Sequence, residues 1–229
     1  IANATLIPGS NPVYGLNTLG GAVALNTKSG FSFPGTKAGL TLGSFNRRTL
    51  DAEQGGHTEN TDYYVAASLH NDSGWAKYNP SQVRQFFGKV GFQDDERDID
   101  FSIAYADNSL HGNQTVPVSM LDRAKYGYTH SDYTNTRALT LNLKGSLELG
   151  ENESVAGNVY YRNIKRDILN SNLNGEYSAN QGNCVTGQAF DFNDCIAANF
   201  LAQSTQNVFG TNLQWSNNDK VWGKNQVLT

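Results

Sequence analysis

Residues 7–30 of the chain, IPGSNPVYGLNTLGGAVALNTKSG, combine a turn-rich segment with a short apolar strand. The turn is indicated by closely spaced proline, glycine and asparagine residues, namely Pro8, Gly9, Asn11 and Pro12. After Gly20 and Gly21 the sequence alternates, with Ala22, Ala24 and Asn26 on one face and Val23, Leu25 and Thr27 on the other. Paired glycines indicate a backbone that passes close to another surface. Taken alone, the segment is also compatible with an ordinary β-hairpin.

After Gly30 the chain alternates between runs of about ten residues with period-two hydrophobicity and polar breaks. In the clearest run, Leu139, Leu141, Leu143, Leu147 and Leu149 share one face, opposite Thr140, Asn142, Lys144, Ser146 and Glu148. In another, Ile99, Phe101, Ile103 and Tyr105 oppose Asp98, Asp100, Ser102, Ala104 and Ala106. The pattern predicts strands at 36–43, 48–56, 61–71, 82–93, 98–107, 135–148, 153–166 and 205–216, with a ninth beginning near 225. A short helix is expected at Val118–Tyr126, ended by Gly127.

The lengths of the breaks separate two all-β architectures. Short breaks at 57–60, 94–97 and 150–152 alternate with long ones at 73–81, 108–135 and 167–205. Outer-membrane barrels join their strands in this way, with tight periplasmic turns and long external loops. A soluble β-sandwich, the alternative for a secreted adhesin or binding module, has no reason to do so. The alternation therefore predicts an antiparallel transmembrane β-barrel segment whose long loops face outside the cell, and the short tip near Gly43–Arg47 fits this least well.

Composition narrows the function classes. The mean hydropathy of -0.51 and the lack of a long apolar run exclude a membrane-spanning helix. A net charge of -4 disfavours a nucleic-acid partner, because phosphate binding needs a basic surface. Gly, Tyr and Phe are abundant, which is typical of β-structure.

The two cysteines, Cys184 and Cys195, lie in the polar stretch QGNCVTGQAFDFNDC. No histidine stands nearby at metal-ligand spacing, so a zinc site lacks ligands. We expect a disulfide between them, with two free thiols as the alternative. A disulfide would place the loop in an oxidising compartment, and mass spectrometry of the unreduced chain tests the expectation.

The segment NPVYGLNTLGGAVALNTKSG resembles the end of the plug domain of TonB-dependent outer-membrane receptors. In these receptors a tight turn, a Gly-Gly pair and a small-residue strand lead to a Thr-Lys linker. The loop VPVSMLDRAKYGYTHSDYTNTRALTLNL and the strand VAGNVYYRNIKRD also look like early barrel segments of this family. The resemblance extends over nearly the whole chain. The motif residues at the plug–barrel junction are Asn11, Pro12, Gly15, Asn17, Gly20 and Gly21.

The resemblance implies that residues 1–30 are the end of a plug and that 31–229 are the first eight or nine strands of a barrel of about 22 strands. It implies import of a scarce ligand, a ferric siderophore or ferric citrate above all, across the bacterial outer membrane. The partners would be this ligand, outer-membrane lipid and the energy-transducing protein TonB, and no cofactor is needed. Because a TonB box, most of a plug and a closing strand are absent, we expect the chain to be a fragment.

Catalytic and metal-binding patterns are absent from the sequence. It has no P-loop, G-x-S-x-G elbow, H-E-x-x-H or EF-hand, so we expect no enzyme, with an outer-membrane barrel enzyme as the alternative. The histidines His57, His70, His111 and His130 are expected in solvated turns or strand ends, although a cluster of the last three at the external rim is conceivable. Four cations are expected to point inward: Lys89, Lys144, Arg162 and Lys165.

Overall fold

The computed structural model describes residues 1–9, 20–112, 116, 118–127, 132–150, 152–173, 197–221 and 224–228, and within these the side chains of all but 218–221 and 224–228. The described chain is almost entirely β-structure. Its strands are β1 (Asn3–Pro8), β2 (Gly21–Asn26), β3 (Gly35–Gly43), β4 (Arg47–His57), β5 (Thr61–Asp72), β6 (Ser81–Gln93), β7 (Arg97–Gly112), β8 (Asp132–Glu148), β9 (Glu153–Leu173), β10 (Ala197–Val221) and β11 (Lys224–Leu228). A 3-10 helix covers Val118–Tyr126, where the sequence predicts a helix.

Strands β3 to β11 form one antiparallel sheet of nine strands, in which each strand pairs with its neighbours in sequence. Apart from marginal contacts, each described strand touches only the strands with which it hydrogen-bonds. No second sheet therefore covers the nine-stranded one within the described residues, and the β-sandwich alternative is wrong for this part of the chain. The described sheet is open, since β3 and β11 each have a single neighbour.

A separate two-stranded sheet precedes the large one. β1 and β2 pair antiparallel from Asn3↔Asn26 to Pro8↔Gly21. The sequence predicts β2 but not β1. The reason is that β1 is exposed on both faces except for the half-buried Ile7, so no period-two burial pattern marks it.

The predicted bounds of β3 to β6 are correct to within one residue at either end. The later strands run further than predicted toward the long loops. β7 continues to Gly112, β9 continues to Leu173, and β10 begins at Ala197. The extensions of β7 and β9 have polar residues on both faces, and that of β10 has apolar residues on both faces. Hydrophobic alternation therefore stops there while the hydrogen-bond ladder continues.

The connections differ systematically between the two ends of the sheet. Tight turns close one end, with backbone bonds from Thr58 N to Thr61 O and from Asp94 N to Arg97 O, each 2.8 Å long. The other end carries the longer connections and one tight tip at 44–46. Two consecutive residues of this tip, Phe45 and Asn46, have φ values of 60° and 58°. Asparagine adopts this left-handed conformation readily, whereas phenylalanine does so at a cost.

The pairing register assigns each side chain to one of two faces. We call outer face the one that carries Val65, Phe101 and Leu143, and inner face the one that carries Asp62, Asp100 and Lys144. Both predicted alternations, around Ile99 and around Leu139, are confirmed by this register.

Candidate membrane-spanning wall and inner-face site

The outer face carries a continuous exposed apolar band. Leu143 is 49% exposed and Phe209 is 72% exposed. The band includes Leu40, Leu50, Val65, Leu69, Phe86, Val90, Ile99, Phe101, Tyr105, Leu147, Val159 and Leu213, all exposed. On β8 it runs from Leu139 to Leu147, which is roughly 27 Å along the strand. At a barrel tilt of about 40° this corresponds to about 20 Å of height, close to the apolar band of outer-membrane barrels.

The inner face is polar near the tight turns and contains a buried charge cluster. The Lys89 ammonium lies 2.8 Å from Asp100 Oδ2, and the Lys144 ammonium approaches the same oxygen at 2.8 Å. Lys89 is 7% exposed and Asp100 is 6% exposed. Two cations therefore share one oxygen of the Asp100 carboxylate.

A second buried carboxylate lies in the same row. Asp62 is 4% exposed and is separated from Asp100 by Gly91, in the cross-strand order Asp62↔Gly91↔Asp100↔Lys144. A Cβ on Gly91 would overlap Asp62 Oδ1 and lie 2.7 Å from Asp100 Oδ1. The glycine therefore provides the space in which both carboxylates lie over β6.

The linker between the small sheet and the large one is docked on this inner face. The Gly30 N–H donates to Asp62 Oδ2 at 2.5 Å, with its backbone packed against Gly56 and Tyr63. The Lys28 ammonium binds both oxygens of Glu53, at 2.9 and 2.7 Å.

Two aromatic side chains complete this anchor. The Tyr64 hydroxyl donates to Glu53 Oε2 at 2.5 Å. The Lys28 ammonium also lies 4.8 Å from the ring centre of Phe33, a cation–π distance. Residues 28–30 are therefore held by two contacts, one with Glu53 on β4 and one with Asp62 on β5.

Small side chains line the middle of the inner face. A hollow of about 780 Å³ lies over β3 to β8, and its lining includes Gly39, Ala66, Ala104, Ala106 and Ala138. Short side chains at these inward positions leave room for another part of the protein to pack closely against the inner face.

At the tight-turn end, Asp94 organises the β6–β7 connection. Its Oδ1 accepts from the N–H groups of Glu96 and Arg97 at 3.0 and 2.8 Å, and its Oδ2 lies 2.7 Å from Arg97 Nη2. Desolvation raises the pKa of Asp94, but these hydrogen bonds and the Arg97 charge together hold it below its ordinary value. Asp94 therefore orders this turn through its contacts with the two residues that end it.

The predicted site residues divide into three groups. Gly20 and Gly21 lie at the start of β2, where Gly21 has φ of 147° and faces the Ile7 carbonyl. Outside the described residues lie Asn11, Pro12, Gly15, Asn17, His130, Cys184 and Cys195, so the disulfide remains a prediction. Lys89 and Lys144 lie on the inner face as predicted, and so does Arg162.

The expected inward orientation of Lys165 is wrong, and His70 and His111 do not form the conceivable histidine cluster. Lys165 pairs with Arg137 on the outer face, because it lies three positions after Arg162 along β9 and an odd offset changes the face. His70 faces inward and bonds Thr49 at 2.8 Å, whereas His111 lies on the outer face beside Tyr133. The described histidines therefore do not converge at the rim.

Sequence reasoning missed the anchor at residues 28–30 and the Asp62–Asp100 row. Their members are far apart in the chain, and only the glycines at 30, 56 and 91 signal close approach. Among the described residues no group of His, Cys, Asp and Glu is placed to hold a metal ion. In the same residues, no helix has the length and apolar character to cross a membrane.

Comparisons with known proteins found no matching family and no matching curated protein. Among solved structures, the chain is similar to the closed form of the ferric-catecholate import receptor Fiu from Escherichia coli K12, with a TM-score of 0.66 at 11% sequence identity. The match covers 94% of this chain and 33% of the receptor, so the chain spans about a third of its length. At this identity the likeness establishes the fold: an open, antiparallel, all-β sheet of the kind found in a β-barrel receptor.

Proposed function

We propose that this chain is the plug–barrel junction and the first barrel strands of a TonB-dependent receptor that imports a ferric chelate across the bacterial outer membrane. The observation that carries the proposal is the two-faced sheet with its linker docked inside. The outer face is an exposed apolar band, and the inner face holds buried charges around the linker. A wall that separates lipid from a polar lumen needs this division.

The open sheet supports a larger barrel. In hydrocarbon, unpaired N–H and C=O groups on β3 and β11 would each cost several kcal/mol, by a rough transfer estimate. We infer that further strands pair with these edges in the intact wall and that residues 1–30 belong to a plug inside it. The hollow lined by small residues on the inner face gives such a plug room to approach.

The import step needs no catalytic residue. A ligand that binds the external face better in one arrangement of the plug shifts the plug toward that arrangement, and TonB supplies the work that opens a path. A ferric siderophore is the favoured cargo, because the similar solved structure is an import receptor for ferric catecholate. Ferric citrate is the second candidate.

The proposal is tested in the bacterium that carries the gene. We expect the whole gene product in the outer-membrane fraction, with a heat-modifiable mobility in detergent gels. Deletion should abolish growth on one ferric chelate as the sole iron source, with ferric catecholate and ferric citrate tested separately, and loss of TonB should have the same effect. Growth by the deletion strain at the parental rate on every ferric chelate, or a stable aqueous monomer without detergent, would overturn the proposal.

A further inference from the structure

Three connections at the long-loop end of the sheet are joined to one another by backbone hydrogen bonds. They are the tip 44–46, the loop 73–80 and the 3-10 helix Val118–Tyr126. The Ser73 N–H donates to the Phe45 carbonyl oxygen at 2.9 Å, which joins the tip to the loop. The Lys77 N–H donates to the Lys125 carbonyl oxygen at 2.7 Å, which joins the loop to the helix. We call these three connections together the external cap.

The loop of the external cap is anchored at its start by Asp72. One carboxylate oxygen of Asp72 accepts from the Gly74 N–H at 2.7 Å, and the other lies 2.7 Å from Arg47 Nε. Gly74 has φ of 78°, and a Cβ there would overlap the Asn79 side chain. The Asn79 amide oxygen also accepts from the Ala76 N–H at 3.2 Å. The loop is therefore closely folded, which fixes the positions of the side chains that it exposes.

Two aromatic residues of the external cap adopt a backbone conformation that their side chains disfavour. Phe45 has φ of 60° and Tyr78 has φ of 64°, both in the left-handed region. This region is unfavourable for bulky residues, and glycine or asparagine usually occupies it. Burial does not compensate for the strain, since Phe45 is 51% exposed and Tyr78 is 72% exposed. Strain that is kept for an exposed ring indicates that the ring itself is needed at the surface.

The exposed surface of the external cap combines aromatic rings with positive charge. Trp75 and Tyr126 are 52% and 56% exposed, and the Lys77 ammonium lies 4.5 Å from the Tyr126 ring centre. The ionisable side chains of the cap are three cations and one acid, namely Lys77, Arg123, Lys125 and Asp122. The whole chain, in contrast, has a formal net charge of -4. A ligand that suits this surface carries negative charge and planar rings, because rings stack on aromatic side chains and anions pair with cations.

We propose that the external cap selects the class of chelate: it binds anionic iron complexes whose ligands are aromatic, through ring contacts with Phe45 and Tyr78. This inference rests on the proposed function, because it takes the cargo to be a ferric chelate. An iron(III) tris-catecholate complex presents aromatic rings and carries net negative charge. An iron(III) citrate complex carries negative charge without a ring, and a simple iron(III) tris-hydroxamate complex has neither. The cap therefore favours the first complex over the other two.

The test measures equilibrium binding of radiolabelled iron(III) complexes by the whole gene product in a neutral detergent. The probes are iron(III) tris-catecholate, iron(III) citrate and an iron(III) tris-hydroxamate. The wild type should bind the tris-catecholate complex at least about tenfold more tightly than either of the others. A double variant, Phe45→Asn with Tyr78→Asn, should lose about tenfold in affinity for this complex, at roughly threefold for each ring contact, and nothing for citrate.

Two control proteins separate ring contact from a structural role. Asn46→Gly with Leu121→Asn changes a left-handed residue and an exposed apolar residue of the same cap without removing a ring, and it should bind like the wild type. Phe45→Tyr with Tyr78→Phe keeps both rings and should also bind like the wild type. The thermal midpoint adds a second readout: the asparagine double variant should raise it, because asparagine tolerates the left-handed region.

Each result supports or overturns the inference. Equal affinity of the wild type for the three complexes, or equal losses for tris-catecholate and citrate in the asparagine variant, overturns it while the proposed function stands. A lowered thermal midpoint in that variant also overturns it, because the rings would then be structural. If the double variant does not assemble, its two single variants are compared in its place. A wild type that binds none of the three complexes overturns the inference, and unchanged growth of the deletion strain on every ferric chelate overturns the proposed function as well.

Discussion

Substitution of Gly30 by alanine should loosen the linker where it lies on the inner face. A Cβ at this position would overlap the Gly56 carbonyl oxygen and lie 2.5 Å from Tyr63 O and 2.9 Å from Tyr63 N. All three atoms belong to the backbone of paired strands, so the linker must move away instead. That movement also breaks the hydrogen bond from the Gly30 N–H to Asp62 Oδ2.

The magnitude follows from two contributions. Overpacking a well-filled site costs about 1–3 kcal/mol, and losing a hydrogen bond to a charged acceptor costs about 1.5–3 kcal/mol. The Lys28–Glu53 ion pair remains, so the linker should loosen locally and stay near the wall. We take about 3 kcal/mol as the expected change in the free energy of local opening, which is roughly a 150-fold change in the opening equilibrium.

Amide hydrogen exchange measures this opening. In the whole gene product in detergent, peptides covering residues 27–33 should exchange about two orders of magnitude faster in the variant. Gly39→Ala is the matched control, because a Cβ there has no atom within 4 Å. If Gly30→Ala exchanges like the wild type and like this control, the linker is not held by backbone contact and the account of the anchor is wrong.

Three further predictions concern the wall itself. Asp100→Asn leaves the buried Lys89 without its counter-charge and should lower the free energy of unfolding by about 3–5 kcal/mol in urea titrations. Lys37→Ala, which removes a side chain that is 81% exposed in its ion pair with Glu53, should change that free energy by less than about 1 kcal/mol. Leu143→Arg should cost about 2–4 kcal/mol in lipid reconstitution, and Asn142→Arg on the inner face should cost little; equal costs would contradict the assignment of faces. The lowered pKa of Asp94 means that its charged form stabilises the turn above the ordinary value of 3.8 and that this contribution is lost as the pH falls through the lower, folded-state pKa. Asp94→Asn should therefore be less stable than the wild type at neutral pH, and the difference in urea midpoint should disappear in strong acid; a difference that persists there would refute this role.

Local sequence patterns are sufficient to predict the strands of the large sheet. Where one face is apolar and the other polar, as around Ile99 and Leu139, period-two alternation identifies both the strand and its orientation. The same signal fails above the band, where β9 continues with polar residues on both faces and β10 with apolar residues on both faces. The same alternation places Lys165 on the outer face, three positions after the inward Arg162, so the inward expectation for Lys165 is wrong.

The sequence by itself determined the all-β class, the alternation of tight and long connections, and which side of most strands is apolar, because these properties depend on neighbours within about ten residues. Only the tertiary structure decided that Gly30 meets Asp62, that Asp62 and Asp100 lie on either side of Gly91, and that Arg48 and Arg84 share one edge of the outer face. These contacts depend on the register between strands. Register is a property of the whole sheet, set by hydrogen-bond pairing between residues that are distant in the chain.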